Sequence, residues 1–342
     1  MTDPILVEVT RGRLVESAHR GAVAVVGPDG RTMLALGDVE RPVYPRSAIK
    51  LLQALPLVET GAADAFGFGD RELALACASH SGEPRHVDLA RSMLQRAGLT
   101  PEALECGAHA PIGSGAGRAL IEAHQAPSAL HNNCSGKHAG MLAVARHLGE
   151  PTAGYVAPLH PVQQRIRAIV EGLTGHRIAA EATAIDGCSV PTWALPLDGL
   201  ARAFVRLASG EGVPAERRLA ARRLLDATMR EPDFVAGEGR LDTRLMHLAD
   251  GNVFVKTGAE GVYCGVIPDR AIGIALKIDD GSGRAAECAI SAVLAGLVGE
   301  YATEFGRLAR PPVKNVRGVT VGEIRPAAAL LAEMERLQRL GG

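Results

Sequence analysis

Ser47 and Lys50 stand three residues apart in Arg46-Ser-Ala-Ile-Lys, where an apolar helical stretch begins. Residues at i and i+3 share one face of a helix. A serine hydroxyl attacks a carbonyl only with a base within hydrogen-bond reach. A lysine one turn along can be that base when burial and neighbouring cations keep it neutral. Arg46 is such a cation. Pro45 sits where prolines cluster at helix starts, and a helix N-terminus favours negative charge on the serine oxygen. The same residues also read as a helix cap followed by a solvated lysine.

A second signal lies near the other end of the chain. Lys256-Thr257-Gly258 closes the strand-like run NVFVKTG. Ser-x-x-Lys at a helix start together with Lys-Thr-Gly on an edge strand is the pairing used by serine β-lactamases and penicillin-binding proteins. Three further stretches are dense in reactive side chains. CASHSGEPRH carries Ser79, His80, Ser81 and Glu83 on a Ser/Gly/Pro loop that suits a substrate-facing turn. HNNCSGKHAGM places Asn132, Asn133, Cys134, Ser135, Lys137 and His138 before an apolar helical run. Cys134 lies three residues from Lys137 and four from His138, so either pair can face one point. AIDGCSVPTW adds Asp186 and Cys188. Two thiolates from separate loops can share a zinc ion, given a further ligand such as His138, Lys137 or Asp186. There is no C-x-x-C, and buried inert thiols are the alternative. His19, with Arg11, Glu16 and Ser17 around it, reads as a polar residue between strands.

The elements that must position these groups follow from periodicity. The chain has 342 residues, 47% of them hydrophobic and 22% charged, with net charge −1. A near-neutral chain lacks the basic excess of nucleic-acid or membrane-surface binders. No apolar run approaches the ~18 residues of a membrane span. No secretion signal is visible, so a cytoplasmic location and six reduced cysteines are expected. Residues 4–36 read as strands with a hairpin turn at Pro28-Asp29-Gly30. Helices are expected over 47–59, on both sides of SHSGEPRH, and at 117–125, 135–148, 158–173, 191–210 and 214–230. Three short strands follow, with turns at GAEG and IPDR, then one long amphipathic helix across GRAAECAISAVLAGLVGEYATEFG and a strand in VRGVTVGEIRP. The expected fold is α/β of the α+β kind, a single unit over 1–342. Strands of 1–44 and 250–342 make one antiparallel sheet, and 45–249 is mostly helical.

Taken together, RSAIKLLQALPL, CASHSGEPRH, HNNCSGKHAGML, IDGCSVPTWALPL and KTGAEGVYCG resemble, in order and over nearly the whole chain, the rhizobial-type L-asparaginases, the thermolabile asparaginase II family. The resemblance implies a serine β-lactamase-like fold and hydrolysis of L-asparagine to L-aspartate and ammonia. It implies Ser47 and Lys50 as a Ser–Lys pair, with Ser79 a second serine at the same site. It also implies zinc held by Cys134, Lys137 and Cys188, with Asp186 close by. Ser47 is the favoured nucleophile, and Ser79 the alternative or a proton relay. Arg46, His19, Lys256 and Glu83 have suitable charge for the substrate's α-carboxylate and α-amine, and His80, His138 and Asp186 are supporting candidates. A homodimer is expected, with no nucleic-acid or membrane partner. Rival readings are a serine-dependent glutaminase, a β-lactam-acylated peptidase-like enzyme, and a non-catalytic thiolate metal-binding protein.

Overall fold

The structure, a computed structural model, describes residues 2–341. Ten strands run through the described residues in chain order: β1 (Ile5–Arg11), β2 (Leu14–Val26), β3 (Thr32–Leu36), β4 (Thr183–Ile185), β5 (Pro191–Trp193), β6 (Phe254–Gly258), β7 (Val262–Ile267), β8 (Ile272–Ile278), β9 (Pro312–Lys314) and β10 (Thr320–Pro326). The chain divides into two compact units. One holds the residues up to Ala48, Leu195–Val205 and those from Val255 onward. The other holds Ile49–Ala194 and Arg206–Phe254.

The first unit is built on an eight-stranded sheet in the order β6-β7-β8-β2-β1-β10-β9, with β3 also paired to β2. Both ends of the chain contribute, as expected. β2 is the hinge of this sheet. Its first half pairs antiparallel with β1, and from Gly21 onward it pairs antiparallel with β8 and β3. The exchange needs glycine. A Cβ on Gly21 would lie 2.1 Å from the Lys277 carbonyl oxygen and 3.1 Å from Leu6 Cδ1. Beyond it, Ala22-Val-Ala-Val-Val26 is wholly buried, which is why this stretch reads as a continuous apolar run rather than an alternation. Helix Gly283–Leu297 covers β1, β7, β8 and β10, and helix Ala328–Gly341 lies against β1 and β3.

Three expectations are corrected. The long C-terminal helix breaks at Val298, whose φ of −117° and ψ of 86° leave the helical region. Gly299, a poor helix former, follows, and the remainder (Ala302–Leu308) folds back on the first part. The stretch 191–210 is helical only from Leu197; Pro191–Trp193 is a strand. Leu195 precedes a proline and is therefore held extended, where it pairs with Val43. Helix Ala328–Gly341 lies beyond the tail strand and was not anticipated.

The second unit is helical. Its central element, helix Ser135–His147, is buried on every side from Ser135 to Ala145. It packs against helices Lys50–Glu59, Asp70–Ala76, Pro84–Arg96 and Pro161–Thr174. A helix enclosed all round is ordinarily apolar all round, so Lys137 and His138 within it demand partners. Gly136 sets the spacing, since a Cβ there would meet the Leu75 carbonyl oxygen at 2.4 Å. Gly140, one turn on, would make only ordinary contacts at 3.4 Å. Gly136→Ala is therefore expected to cost ~1–3 kcal/mol, seen as a lower urea midpoint with unchanged slope. Gly140→Ala should be neutral or stabilising through better helix propensity.

Candidate active site

In the helical unit, Lys50 opens its helix and is fully buried. Its Nζ donates to the Ala78 carbonyl and to Ser79 Oγ, the latter at 3.1 Å. Ser79 stands on the loop after helix Asp70–Ala76, and its own N–H donates to the Val235 carbonyl at 2.9 Å. Cys134 caps helix Ser135–His147, its N–H donating to Asn132 Oδ1 at 2.9 Å. One turn into that helix, Lys137 Nζ donates to Cys188 Sγ at 3.1 Å. Cys188 is presented by the tight connection between β4 and β5. There the Asp186 N–H donates to the Val190 carbonyl at 2.8 Å, and Ser189 takes the left-handed conformation with φ of 75°.

Electrostatics join these groups. Cys134 accepts a hydrogen bond from Cys188. Despite burial, that bond and the nearby Lys50 and Lys137 amines pull its thiol well below the usual range. Cys188, the donor, is buried and pushed up. Burial works against a charge on Lys137, yet the Cys188 and Cys134 sulfurs and Asp186 hold its ammonium above the ordinary lysine value. Lys50 is the common member, because it hydrogen-bonds both Ser79 Oγ and Cys134. Among the described residues no three His, Cys, Asp or Glu side chains converge as a metal group. The donors brought together here are two sulfurs and a nitrogen, an S/N set of the kind zinc takes once Lys137 has lost its proton.

The other candidates in this unit hydrogen-bond within it, although the buried Nε2 of His138 has no hydrogen-bond partner. His138 Nδ1 bonds Tyr155 Oη at 2.6 Å, and that hydroxyl accepts the Glu105 N–H at 3.0 Å. The structure thus pairs Lys137, not His138, with Cys188. The Glu83 carboxylate accepts the Glu238 N–H at 2.9 Å and Arg85 Nε at 2.8 Å. His80 Nδ1 accepts the Gly82 N–H at 3.1 Å, which places its proton on Nε2, 2.9 Å from Ser135 Oγ.

In the sheet unit, Ser47 lies half-buried in the 3-10 turn Arg46–Ile49. Arg46 has φ of 52°, a left-handed conformation uncommon for a non-glycine residue. The Lys-Thr-Gly strand end lies against this turn. A Cβ on Gly258 would fall 2.5 Å from the Pro45 carbonyl oxygen and 3.2 Å from Ala48 N, so the motif's glycine is what lets strand and turn meet. Lys256 is buried and donates to the Thr257 carbonyl at 2.9 Å. Arg46 lines an open cleft of about 280 Å³ with Arg41, Tyr44, Glu260, Lys277 and Asp279. His19, on β2, bonds Asp280 Oδ2 at 2.6 Å. Asp280, Tyr155 and the Ala78 and Val235 carbonyls were not singled out from sequence. Asp280 sits in an ordinary-looking Asp-Asp-Gly turn, and backbone acceptors leave no residue-type signal.

Fold and site together define a mixed sheet-and-helix chain in which one buried lysine is hydrogen-bonded to a serine and another to a cysteine. The chain matches the L-asparaginase II family model over residues 7–326 and belongs to that family. It is accordingly an L-asparaginase, an amidohydrolase acting on asparagine. No curated protein matches the chain closely enough to stand as a relative. Similar solved structures include a β-lactamase from Mycobacterium bovis, 16% identical over 78% of this chain and 89% of that one, with a TM-score of 0.40. Mglu in its tris and glutamate form is 20% identical over 84% of this chain and 59% of that one, with a TM-score of 0.44. Among the described residues no helix is long and apolar enough to cross a membrane.

His80 on the Ser79 loop and His86 in helix Pro84–Arg96 are expected to make the unit acid-sensitive. Burial pushes His80 well below the ordinary histidine value, and burial also lowers His86. Both bind a proton less readily folded than unfolded, so below about pH 6.5 the unfolded chain takes up more protons than the native chain. Stability should be level between about pH 7 and 8 and fall as pH drops under about 6.5, by up to ~1.4 kcal/mol per unit for each histidine. Urea unfolding from pH 8 to 5 measures this. His80→Gln should flatten the slope, and equal slopes would contradict it.

Proposed function

We propose that the chain hydrolyses the side-chain amide of L-asparagine through Ser47 as nucleophile, with Lys50 as base and Ser79 as proton relay. The observation that carries this reading is the 3.1 Å hydrogen bond from Lys50 Nζ to Ser79 Oγ in a fully buried setting. Ser47 precedes Lys50 by three residues, the spacing that puts both on one helical face. Two features favour Ser47 over Ser79 as nucleophile. Ser79 is only 3% exposed, whereas Ser47 is half-buried. The Ser79 N–H is spent on the Val235 carbonyl, so it is not free to stabilise an oxyanion as a nucleophile's own N–H often does.

The steps then balance as follows. In its neutral form Lys50 takes the serine proton, directly or through Ser79, as the serine oxygen bonds the amide carbon. Backbone N–H groups near the Ser47 turn or the Lys-Thr-Gly strand hold the oxyanion. The lysine passes the proton to the amide nitrogen, which leaves as ammonia; water, deprotonated by the same amine, then attacks the aspartyl ester, and the lysine gives that proton to the Ser47 oxygen as the ester C–O bond breaks. Arg46 and Lys256 suit the substrate's α-carboxylate by charge.

Cys134, Lys137 and Cys188 would hold the zinc that the family resemblance implies, with Asp186 beside them. When bound, the ion supplies a fixed positive charge at the site. For this chain's part, Cys134 offers a thiolate, and Lys137 must release its proton before it donates, so binding liberates protons.

Ammonia release from asparagine, with glutamine in parallel, tests the assignment. Ser47→Ala should lose about 10⁴-fold or more in kcat, and Lys50→Met about 10²–10⁴-fold. Acid quench followed by peptide mass analysis should find the aspartyl group on the Ser47 peptide. An adduct on the Ser79 peptide, or full activity in Ser47→Ala, would overturn the choice of nucleophile. Elemental analysis should give about one zinc per chain, lost in Cys134→Ser and in Cys188→Ser.

A further inference from the structure

His80 lies beside Ser79 and ties the serine loop to the start of helix Ser135–His147. Its backbone N–H donates to the Asn133 carbonyl at 3.2 Å. Its ring Nδ1 accepts the Gly82 N–H at 3.1 Å, and Nε2–H donates to Ser135 Oγ at 2.9 Å. Ser135 in turn donates to the Leu130 carbonyl at 3.0 Å. Both ring nitrogens are therefore occupied by this chain, and the residue is fully buried. A ligand for asparagine would need a free ring nitrogen, and His80 has none.

The surroundings fix the ring further. It stacks on His86, centroids 5.1 Å apart with planes 25° from parallel. His86 is itself anchored, donating from Nε2 to the Asp233 carbonyl at 2.8 Å. The residues on either side of His80 are held from the opposite direction. Ser79 N–H bonds the Val235 carbonyl, and Ser81 Oγ donates to the Ala236 carbonyl, both at 2.9 Å. Ser79 thus lies between a segment at 233–236 and a helix start at 133–135, and His80 is the link to the second.

We infer that His80 is a positioning residue that sets Ser79 against Lys50 by locking the Ser79 loop to Ser135, and so couples the serine site to the helix bearing Cys134 and Lys137. This rests on the reading that Ser79 and Lys50 serve the reaction. Loss of the lock shifts Ser79 without touching substrate, so it lowers kcat and leaves KM nearly unchanged. A displacement on the scale of 1 Å at such a group is worth up to about 10²-fold, and loss of a supporting hydrogen bond about 10–100-fold.

The test is a double-mutant cycle on kcat with His80→Ala, Ser135→Ala and the pair, beside His80→Gln and Ser79→Ala. Each single variant should lower kcat about 10–100-fold, with KM within about twofold. The pair should be no worse than His80→Ala, because both changes remove one interaction. His80→Gln keeps a donor near the Nε2 position and should recover most of the loss. Should His80→Ala fail to fold, Ser135→Ala and His80→Gln carry the test. Multiplicative losses in the pair, a rise in KM in place of the fall in kcat, or a silent Ser135→Ala would overturn the coupling. Full activity in Ser79→Ala would overturn the catalytic reading beneath it, and an inactive Ser79→Ala with multiplicative losses would overturn the coupling alone.

Discussion

A lysine amine with no exposure to water, held between a serine oxygen and a cysteine sulfur, is the constraint on which the helical unit depends. Lys50 cannot be solvated, so its Nζ must be satisfied by protein. The Ala78 carbonyl, Ser79 Oγ and Cys134 do this. Those partners have to be brought from two different helix ends. Ala78 and Ser79 follow helix Asp70–Ala76, and Cys134 precedes helix Ser135–His147. The glycine at 136, which lets those two helices close to backbone contact, is therefore as much a part of the site as the reactive groups.

Backbone geometry does comparable work in the sheet unit. The Ser-x-x-Lys serine lies in a 3-10 turn whose first residue, Arg46, adopts a left-handed φ, and the Lys-Thr-Gly strand reaches that turn only because Gly258 lacks a Cβ. The turn that carries Ser47 and the Lys-Thr-Gly strand end, distant in sequence, are thus adjacent in one unit through a single missing methyl group. β2 permits this by changing partners at Gly21, so that strands from both chain ends enter one sheet.

Much of this was legible before any coordinates. The hairpin turn at Pro28-Asp29-Gly30, the three C-terminal strands and helix Ser135–His147 carry strong local signals, and local preference agrees with the final fold there. The errors fall where tertiary pairing overrides periodicity. Pro191–Trp193 reads as the start of a helix until β4 claims it as a partner, and the C-terminal helix breaks where its second part gains by packing on the first. The residues that gather around Lys50 and Lys137 were legible by type, since Ser, Lys and Cys at helix starts and tight turns invite chemistry. Their hydrogen-bond partners were not. Glu83 and His80 look like substrate ligands by charge and polarity, yet their polar atoms are engaged within the chain, and backbone acceptors such as Ala78 and Val235 are invisible to residue type.

The two cysteines show why residue type and role come apart. Read as metal ligands, they matter only when an ion is bound. Yet Lys137 is an ammonium in the middle of an enclosed helix, and what holds it charged against burial is the Cys188 and Cys134 sulfurs with Asp186. Removing one partner of a buried charged pair leaves the other uncompensated, at a cost of ~3–5 kcal/mol. The sulfurs therefore stabilise the helix start in their own right, and they do so with the same lone pairs that would bind zinc. The Lys137 ammonium is the counter-charge that these sulfurs and Asp186 require. That requirement also reaches Lys50 through Cys134. Lys50 and Lys137 therefore share the Cys134 sulfur, and neither amine can be altered without moving the charge that the other one feels.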